Sequence, residues 1–399
     1  MSNQPIQTKD NSEWCLQESE LCHLETLKKL AEPTIAKLSL EDHPNLLIFP
    51  QDLDVYGDKI GDAHIFEVKG NKVVTGNIMG FIGCGNTKVS ISSRFAHDNN
   101  DYFLHYMLRK VFAINLFDLQ FNSDEESIFD FLIYLFPSFL KRAMQQGIYK
   151  EYQTRKYNDA NVKYIAQHKY AGNILSNDED TTEAVSAICS ATPTYQRNER
   201  QRVMNQNLRP VSHPYYGEYR PLQQLCLQIL RQEEMKYGRD DDEIYGVLFD
   251  GAWLWESYLN TILPELGFIH ADNNLRINGF ALFNGGGGTR YPDFYKDDFV
   301  IDAKYKSLSG KTVLGVDRDD IHQVITYMYR LKAHYGGFAV PWRSMDGWPK
   351  KKELLGYGGW MNLYGVVVDE QTKDFNEYVT VMEKKESDLL KQIKYDYEK

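Results

Sequence analysis

The chain has 399 residues, with 45 Lys and Arg against 56 Asp and Glu and a formal net charge of -11. That length predicts two or three domains, each able to bury a core of its own. An acidic chain with 42% hydrophobic residues is neither disordered nor built to coat nucleic acid by bulk charge. Any DNA contact must therefore rest on a local basic patch, on metal ions or on a second subunit.

Five cysteines, Cys15, Cys22, Cys84, Cys189 and Cys226, form no CxxC pair. They read as reduced thiols of a cytoplasmic protein rather than as a disulfide framework or a zinc site. The N-terminus lacks the pattern of a signal peptide, and the most apolar stretch, 128–140, is too short to span a bilayer. An intracellular protein without membrane contact is expected.

Residues 1–147 read as a β-rich module with helices attached. A helix over 18–38 places Leu21, Leu24, Leu27, Leu30 and Ile35 at helical spacing. Short strands follow over 46–49, 64–68, 73–75 and 88–92, with Lys69-Gly70-Asn71-Lys72 as a hairpin turn. Two helices, over 101–120 and 126–147, complete this part. The connecting region 148–220 is basic and Tyr-rich: 141–220 carries 12 Lys and Arg against 8 Asp and Glu. Arg197, Arg200, Arg202, Arg209 and Arg220 interleave there with tyrosines, a composition suited either to a phosphate backbone or to a solvated surface.

From 221 to 399 the order becomes regular. A helix over 221–236 and an acidic turn at 239–243 precede a helix over 246–263. Strands over 275–283 and 293–305, a helix over 318–335, strands over 336–341 and 362–368, and a helix over 383–396 follow. This is an α/β layout with helices on both sides of a mixed central sheet.

The chemistry concentrates between Tyr291 and Lys306. Phe299-Val300-Ile301 is a short apolar strand that ends in Asp302-Ala303-Lys304. Side chains alternate along a strand, so Asp302 and Lys304 share a face, and Asp293 on the adjoining strand can reach it. Two carboxylates there make the hard oxygen site that Mg²⁺ prefers, with Mn²⁺ as a substitute. A lysine beside them can orient a metal-bound water and offset phosphate charge. Alone, such a spacing arises by chance in roughly one chain in ten of this length, and a strand ending in surface charges is the blander reading. Two neighbours shift the balance: Glu256 lies on the helix before the hairpin, and Gln323 and Tyr327 stand at i, i+4 on the helix after it.

Carboxylate helix, Asp strand, Asp-x-Lys strand and Gln-x-x-x-Tyr helix, in that order, resemble the PD-(D/E)xK nuclease superfamily. The chain is also similar, through most of its length, to the McrC-like subunits of McrBC-type, 5-methylcytosine-specific restriction systems. The likeness is carried by the 73–82 stretch, Tyr149-Lys150-Glu151-Tyr152, 214–225, Leu248-Phe249-Asp250, Asp302-Ala303-Lys304-Tyr305-Lys306 and the Gln323 helix. Residues 161–176 depart from the pattern, reading Asn161-Val162-Lys163-Tyr164-Ile165-Ala166 at their start. The resemblance implies a restriction-endonuclease-like α/β domain over 221–399 behind an α+β partner-binding domain over 1–147. It implies an endodeoxyribonuclease with Asp293, Asp302 and Glu256 at the metal, Lys304 at the attacking water, and Gln323 and Tyr327 in support. It further implies docking on a hexameric McrB-like AAA+ GTPase ring, whose GTP hydrolysis the chain stimulates and which selects modified DNA.

No nucleotide is expected to bind this chain itself. Ser309-Gly310-Lys311-Thr312 resembles the end of a P-loop, but the first glycine of that motif would fall on Tyr305. Gly285-Gly286-Gly287-Gly288 lies in a hairpin loop with no helix after it to complete a phosphate cradle. Two alternatives stay open. A stand-alone repair or recombination nuclease would cut without a GTPase, and a non-catalytic adaptor would stimulate the ring yet be insensitive to metal.

Overall fold

A computed structural model describes residues 5–38, 43, 45–50, 63–97, 100–112, 135–136, 138–145, 151–152, 158–159, 215–235, 244–273, 276–306, 313–344, 351–356 and 358–397. Most of the basic connecting region, the acidic turn at 239–243, the P-loop-like segment and much of the 126–147 helix lie outside the described residues.

The fold is mixed α/β. One five-stranded sheet runs in the order β1 (Ile6–Lys9), β7 (Thr87–Ser92), β6 (Ile78–Cys84), β10 (Ile244–Asp250), β3 (Asn45–Phe49). A small sheet of β2 (Glu13–Cys15), β5 (Lys72–Thr75) and β4 (Phe66–Lys69) is separate from it, and β8 (Glu151–Tyr152) and β9 (Asn158–Asp159) form a two-stranded ladder. The helix expected over 221–236 is α3 (Tyr219–Met235). The expected hairpin at Lys69–Lys72 forms, with Gly70 at φ 68°, the left-handed turn conformation that glycine adopts without steric cost. The helix expected over 18–38 contracts to α1 (Leu24–Ala31), because Pro33 lacks an amide hydrogen to continue the ladder.

The second sheet has six strands in the order β11 (Ile269–His270), β12 (Phe294–Lys296), β13 (Phe299–Ala303), β14 (Tyr335–Trp342), β16 (Trp360–Val367), β15 (Lys352–Glu353). β12 and β13 form an antiparallel hairpin, so the single strand expected over 293–305 is two. β13, β14 and β16 are parallel. The crossover from β13 to β14 carries α5 (Arg318–Leu331), on the face of Val300. Phe299 and Ile301 point to the opposite face and join a core shared with α4 (Gly251–Leu259) and α6 (Phe375–Tyr397). α6 begins eight residues earlier than the helix expected over 383–396. The strand expected over 275–283 is reduced to isolated bridges, Asp272 with Ile277 and Phe280 with Arg290.

The helix expected over 246–263 is wrong in its first part. Ile244-Tyr245-Gly246-Val247-Leu248-Phe249 is a strand buried on both faces, so its apolar run does not alternate and carries no period to separate it from a helix. The switch comes at Asp250, whose Oδ1 accepts hydrogen bonds from the amides of Ala252 (2.6 Å) and Trp253 (3.3 Å) and so caps α4. β10 pairs with β6 and β3, strands of the first hundred residues, and thereby crosses the boundary expected between 1–147 and 221–399. One apolar core runs through both sheets, from Leu47, Phe81 and Phe103 to Trp255, Ile301 and Tyr364. A buried carboxylate reinforces the junction. Glu386 of α6 accepts from the hydroxyls of Tyr106 (2.7 Å) and Tyr258 (2.9 Å), while its other oxygen takes Lys110 (3.0 Å). Tyr106 and Lys110 belong to α2 (Tyr102–Phe112).

Candidate functional site

The site forms where β12 and β13 run out. Continuing the register Phe294 with Ile301 by one step sets Asp293 across from Asp302, on the face that α5 covers. Asp293 Oδ2 accepts the Ala303 amide at 2.6 Å, which pins that carboxylate against the neighbouring strand. The Asp302 side chain is buried, and Lys304 Nζ stands 2.7 Å from its Oδ2. The Lys304 backbone is fixed as well, its amide donating to the Ala339 carbonyl at 2.9 Å. Trp255 Nε1 donates to that same carbonyl at 3.0 Å, so α4, β13 and β14 meet at one oxygen.

α4 brings Glu256, half-buried, and β11 brings His270, whose Nε2 lies 2.7 Å from Glu256 Oε1. α5 brings three side chains. Asp320 Oδ1 lies 3.4 Å from Lys304 Nζ, and its Oδ2 takes Lys306 at 2.7 Å. Gln323 Nε2 donates to the Tyr327 hydroxyl at 2.8 Å. The sequence-predicted residues are thus brought together, with Asp293, Asp302 and Lys304 at the centre and Glu256 and Tyr327 close enough for their charges and hydroxyl to be felt there.

Electrostatics mark the centre as short of positive charge. Burial, then the charges of Asp302 and Glu256, push the Asp293 carboxyl well above the usual carboxylate range. Burial pushes Asp302 up to about 6, even though Lys304 beside it favours the ionised form. For Lys304 burial alone would depress the ammonium, but Asp302, Asp293 and Asp320 outweigh it and hold the group firmly protonated. Tyr327 is raised by burial and by the same two carboxylates. Asp302 Oδ1 has no hydrogen-bond donor among the described residues, an expensive state for a buried oxygen. Among the described residues no group of three or more His, Cys, Asp or Glu side chains is placed to hold a metal ion, so Asp293, Asp302 and Glu256 do not form a three-ligand set. The donor set is instead two facing carboxylates, Asp302 buried and Asp293 half-buried, the oxygen chemistry that a hard cation with waters or phosphate oxygens of its own prefers.

A family model described as "McrBC 5-methylcytosine restriction system component" matches residues 73–164 and 167–340, well over half of the chain and the whole of this site. The chain belongs to the McrBC family. No curated protein matches it. Among solved structures, a refined half-complex from the tetradecameric assembly of Thermococcus gammatolerans McrB AAA+ hexamers with bound McrC is 16% identical. That match covers 96% of this chain and 100% of the other, with a TM-score of 0.45. A cryo-EM structure of the Thermococcus gammatolerans McrBC complex is also 16% identical, covering 65% of this chain and 87% of that one, with a TM-score of 0.32.

In this McrBC-family chain, two residues beside the centre escape sequence reasoning. Asp320 lies in the same helical segment as Gln323, one turn earlier, and its i, i+3 spacing to Gln323 was the available signal. His270 carries none: it is a lone histidine whose role emerges only when β11 pairs with β12 and sets it against Glu256.

Proposed function

We propose that this chain is the McrC-type nuclease subunit of a McrBC-like restriction system, a Mg²⁺-dependent endodeoxyribonuclease of the PD-(D/E)xK type. It works in the cytoplasm on a hexameric McrB-like AAA+ GTPase ring that selects methylated DNA. The observation that carries the reading is the Asp293/Asp302 pair, two facing carboxylates whose burial and neighbouring negative charge a divalent cation would offset, with a cationic Lys304 beside them.

The residues fit such an ion. Asp302 Oδ1, buried and without a donor, and Asp293 on the opposing strand would hold it, with Glu256 at the edge. A divalent cation held by Asp293 and Asp302 would supply Lewis acidity for phosphodiester hydrolysis. Lys304 stays protonated, so it orients the attacking water and offsets charge on the phosphate rather than accepting a proton. Gln323, exposed, holds the Tyr327 hydroxyl toward the same centre. Family membership supports the restriction role, and the net charge of -11 fits a subunit that borrows its targeting from a partner.

The test is plasmid cleavage with Mg²⁺, with and without the neighbouring AAA+ protein and GTP, on methylated and unmethylated DNA. Cleavage is expected only with partner, GTP and methylated DNA. Asp302→Ala and Lys304→Ala should each lower it by at least about a thousandfold while still stimulating GTP hydrolysis. Cutting at the normal rate by either variant would sink the assignment, and cutting without the partner would point to a stand-alone nuclease.

A further inference from the structure

Beside the site stands an arm that the proposed chemistry does not use. Residues 276–292 contain Arg276 and Arg290 and no acidic residue, with Asp272 and Asp293 bordering the segment, within a chain of net charge -11. The bridge of Phe280 with Arg290 closes 281–289 into a loop, and a second bridge joins Asp272 to Ile277 just before it. At its tip Gly285, Gly286, Gly287 and Gly288 all hold positive φ, and the first three have open space where a Cβ would be. Phe283 lies against Gly288 with 68% of its surface exposed, an unusual placement for a large apolar ring.

The base of the arm is rooted in the site. Phe280 packs edge-on against Tyr327 (6.0 Å) and Tyr295 (6.3 Å). Arg330 of α5 donates to the Ala281 carbonyl at 2.6 Å and lies over the Phe280 ring at 5.5 Å. The Tyr295 hydroxyl donates to the Asn278 carbonyl at 3.1 Å. A glycine-rich tip, two exposed arginines and one exposed aromatic therefore lie on a segment anchored to Tyr295 and to Tyr327 and Arg330 of α5.

We propose that this arm enters the minor groove of duplex DNA flanking the scissile phosphate. Arg276 and Arg290 pair with backbone phosphates and Phe283 wedges against the bases. The minor groove is about 6 Å wide, which admits a glycine tip but not a helix. Arginines and apolar wedges are the groups that other proteins place there. The inference rests on the nuclease reading for its substrate, but it is tested by binding rather than cutting.

The experiment is fluorescence anisotropy of a labelled 24-bp duplex titrated with the full-length chain carrying Asp302→Ala, from 20 to 200 mM salt. Adding Arg276→Ala and Arg290→Ala should weaken binding about tenfold at 100 mM. It should also flatten the slope of log K against log salt by about 1.8, the contribution of two phosphates. Phe283→Ala should weaken binding several-fold and leave the slope unchanged. An unchanged slope in the double arginine variant, or no binding by the parent chain even at 20 mM salt, would overturn the proposal. Loss of GTPase stimulation with DNA binding intact would overturn it too, and would make the arm a protein-docking element. Failure of wild-type cleavage, by contrast, would count against the nuclease reading and leave the binding result to judge the arm.

Discussion

At the scale of single residues, Asp302 is a buried carboxylate whose Oδ1 has no donor among the described residues. Its carboxyl is pushed up to about 6 in the folded chain against about 3.9 in an unfolded one. The folded state therefore binds a proton that the unfolded state has lost, and stability falls as pH rises through the window from about 4 to about 6. Above that window the ionised carboxylate costs on the order of 2–3 kcal/mol. Asp302→Asn removes the cost but keeps the shape. Its melting temperature should exceed that of the wild type at pH 8 without divalent cations, and the difference should vanish near pH 4. Mg²⁺ should then raise the melting temperature of the wild type and not of the variant, because a bound cation supplies the charge the site lacks. Equal melting curves at pH 8, with and without Mg²⁺, would show that the carboxylate is already satisfied.

At the scale of elements, β10 is the piece that joins sheet and site. It enters between β6 and β3 and hands the chain directly to α4, whose Asp250 cap and Trp255 contact set Glu256 and the backbone under Lys304. Its fit against β6 is unusually close. A Cβ at Gly246, φ +147°, would stand 2.1 Å from the Phe81 carbonyl oxygen, and one at Gly80, φ +125°, 2.2 Å from that of Val247. Neither backbone can yield without breaking the ladder, so Gly246→Ala or Gly80→Ala should cost about 3 kcal/mol or more, read by chemical denaturation. A loss below about 1 kcal/mol would mean the two strands are not so tightly apposed.

The same strand shows where sequence patterning stops being informative. Strand character over 293–305 is legible because the faces of Phe299–Ala303 alternate between different cores, Val300 toward α5 and Ile301 toward α4, but the turn at Asp297-Asp298 that splits the stretch into a hairpin is not. Ile244–Asp250 is buried on both faces, so it carries no alternation, and it merges with the apolar stretch of α4. The Asp293, Asp302 and Lys304 grouping was readable from spacing because one hairpin carries all three. His270 was not, since it arrives on a separate strand by tertiary pairing, and Asp320 was signalled only by its spacing to Gln323 on α5.

At the scale of the whole molecule, the two halves are less separable than a partner-binding module followed by a nuclease would suggest. Tyr305, next to Lys304, is buried away from the site. Its ring sits under the Arg94 guanidinium at 4.5 Å, its hydroxyl reaches Met79, and Arg94 pairs in turn with Asp10 at 2.6 Å. Phe95 and Phe103 pack at 5.1 Å, and Phe95 meets the Tyr305 ring at 6.4 Å, so residues from α2 and from the loop after β7 complete the wall behind the Asp-x-Lys strand. A fragment of 221–399 would lose β3 and β6 and leave both edges of β10 unpaired. It would also uncover Tyr305, Trp255 and Tyr258. An unpaired, wholly apolar strand is an aggregation template, and the apolar area uncovered far exceeds what a domain of marginal stability can lose. The fragment should therefore be insoluble or lack a cooperative thermal transition by circular dichroism, whereas the full chain should unfold in a single step. A fragment that melts sharply on its own would show that the shared core is a docked interface between independent domains. It would also place any signal from a bound ring to the Asp-x-Lys strand in a contact that can open, rather than in a core that the two halves build together.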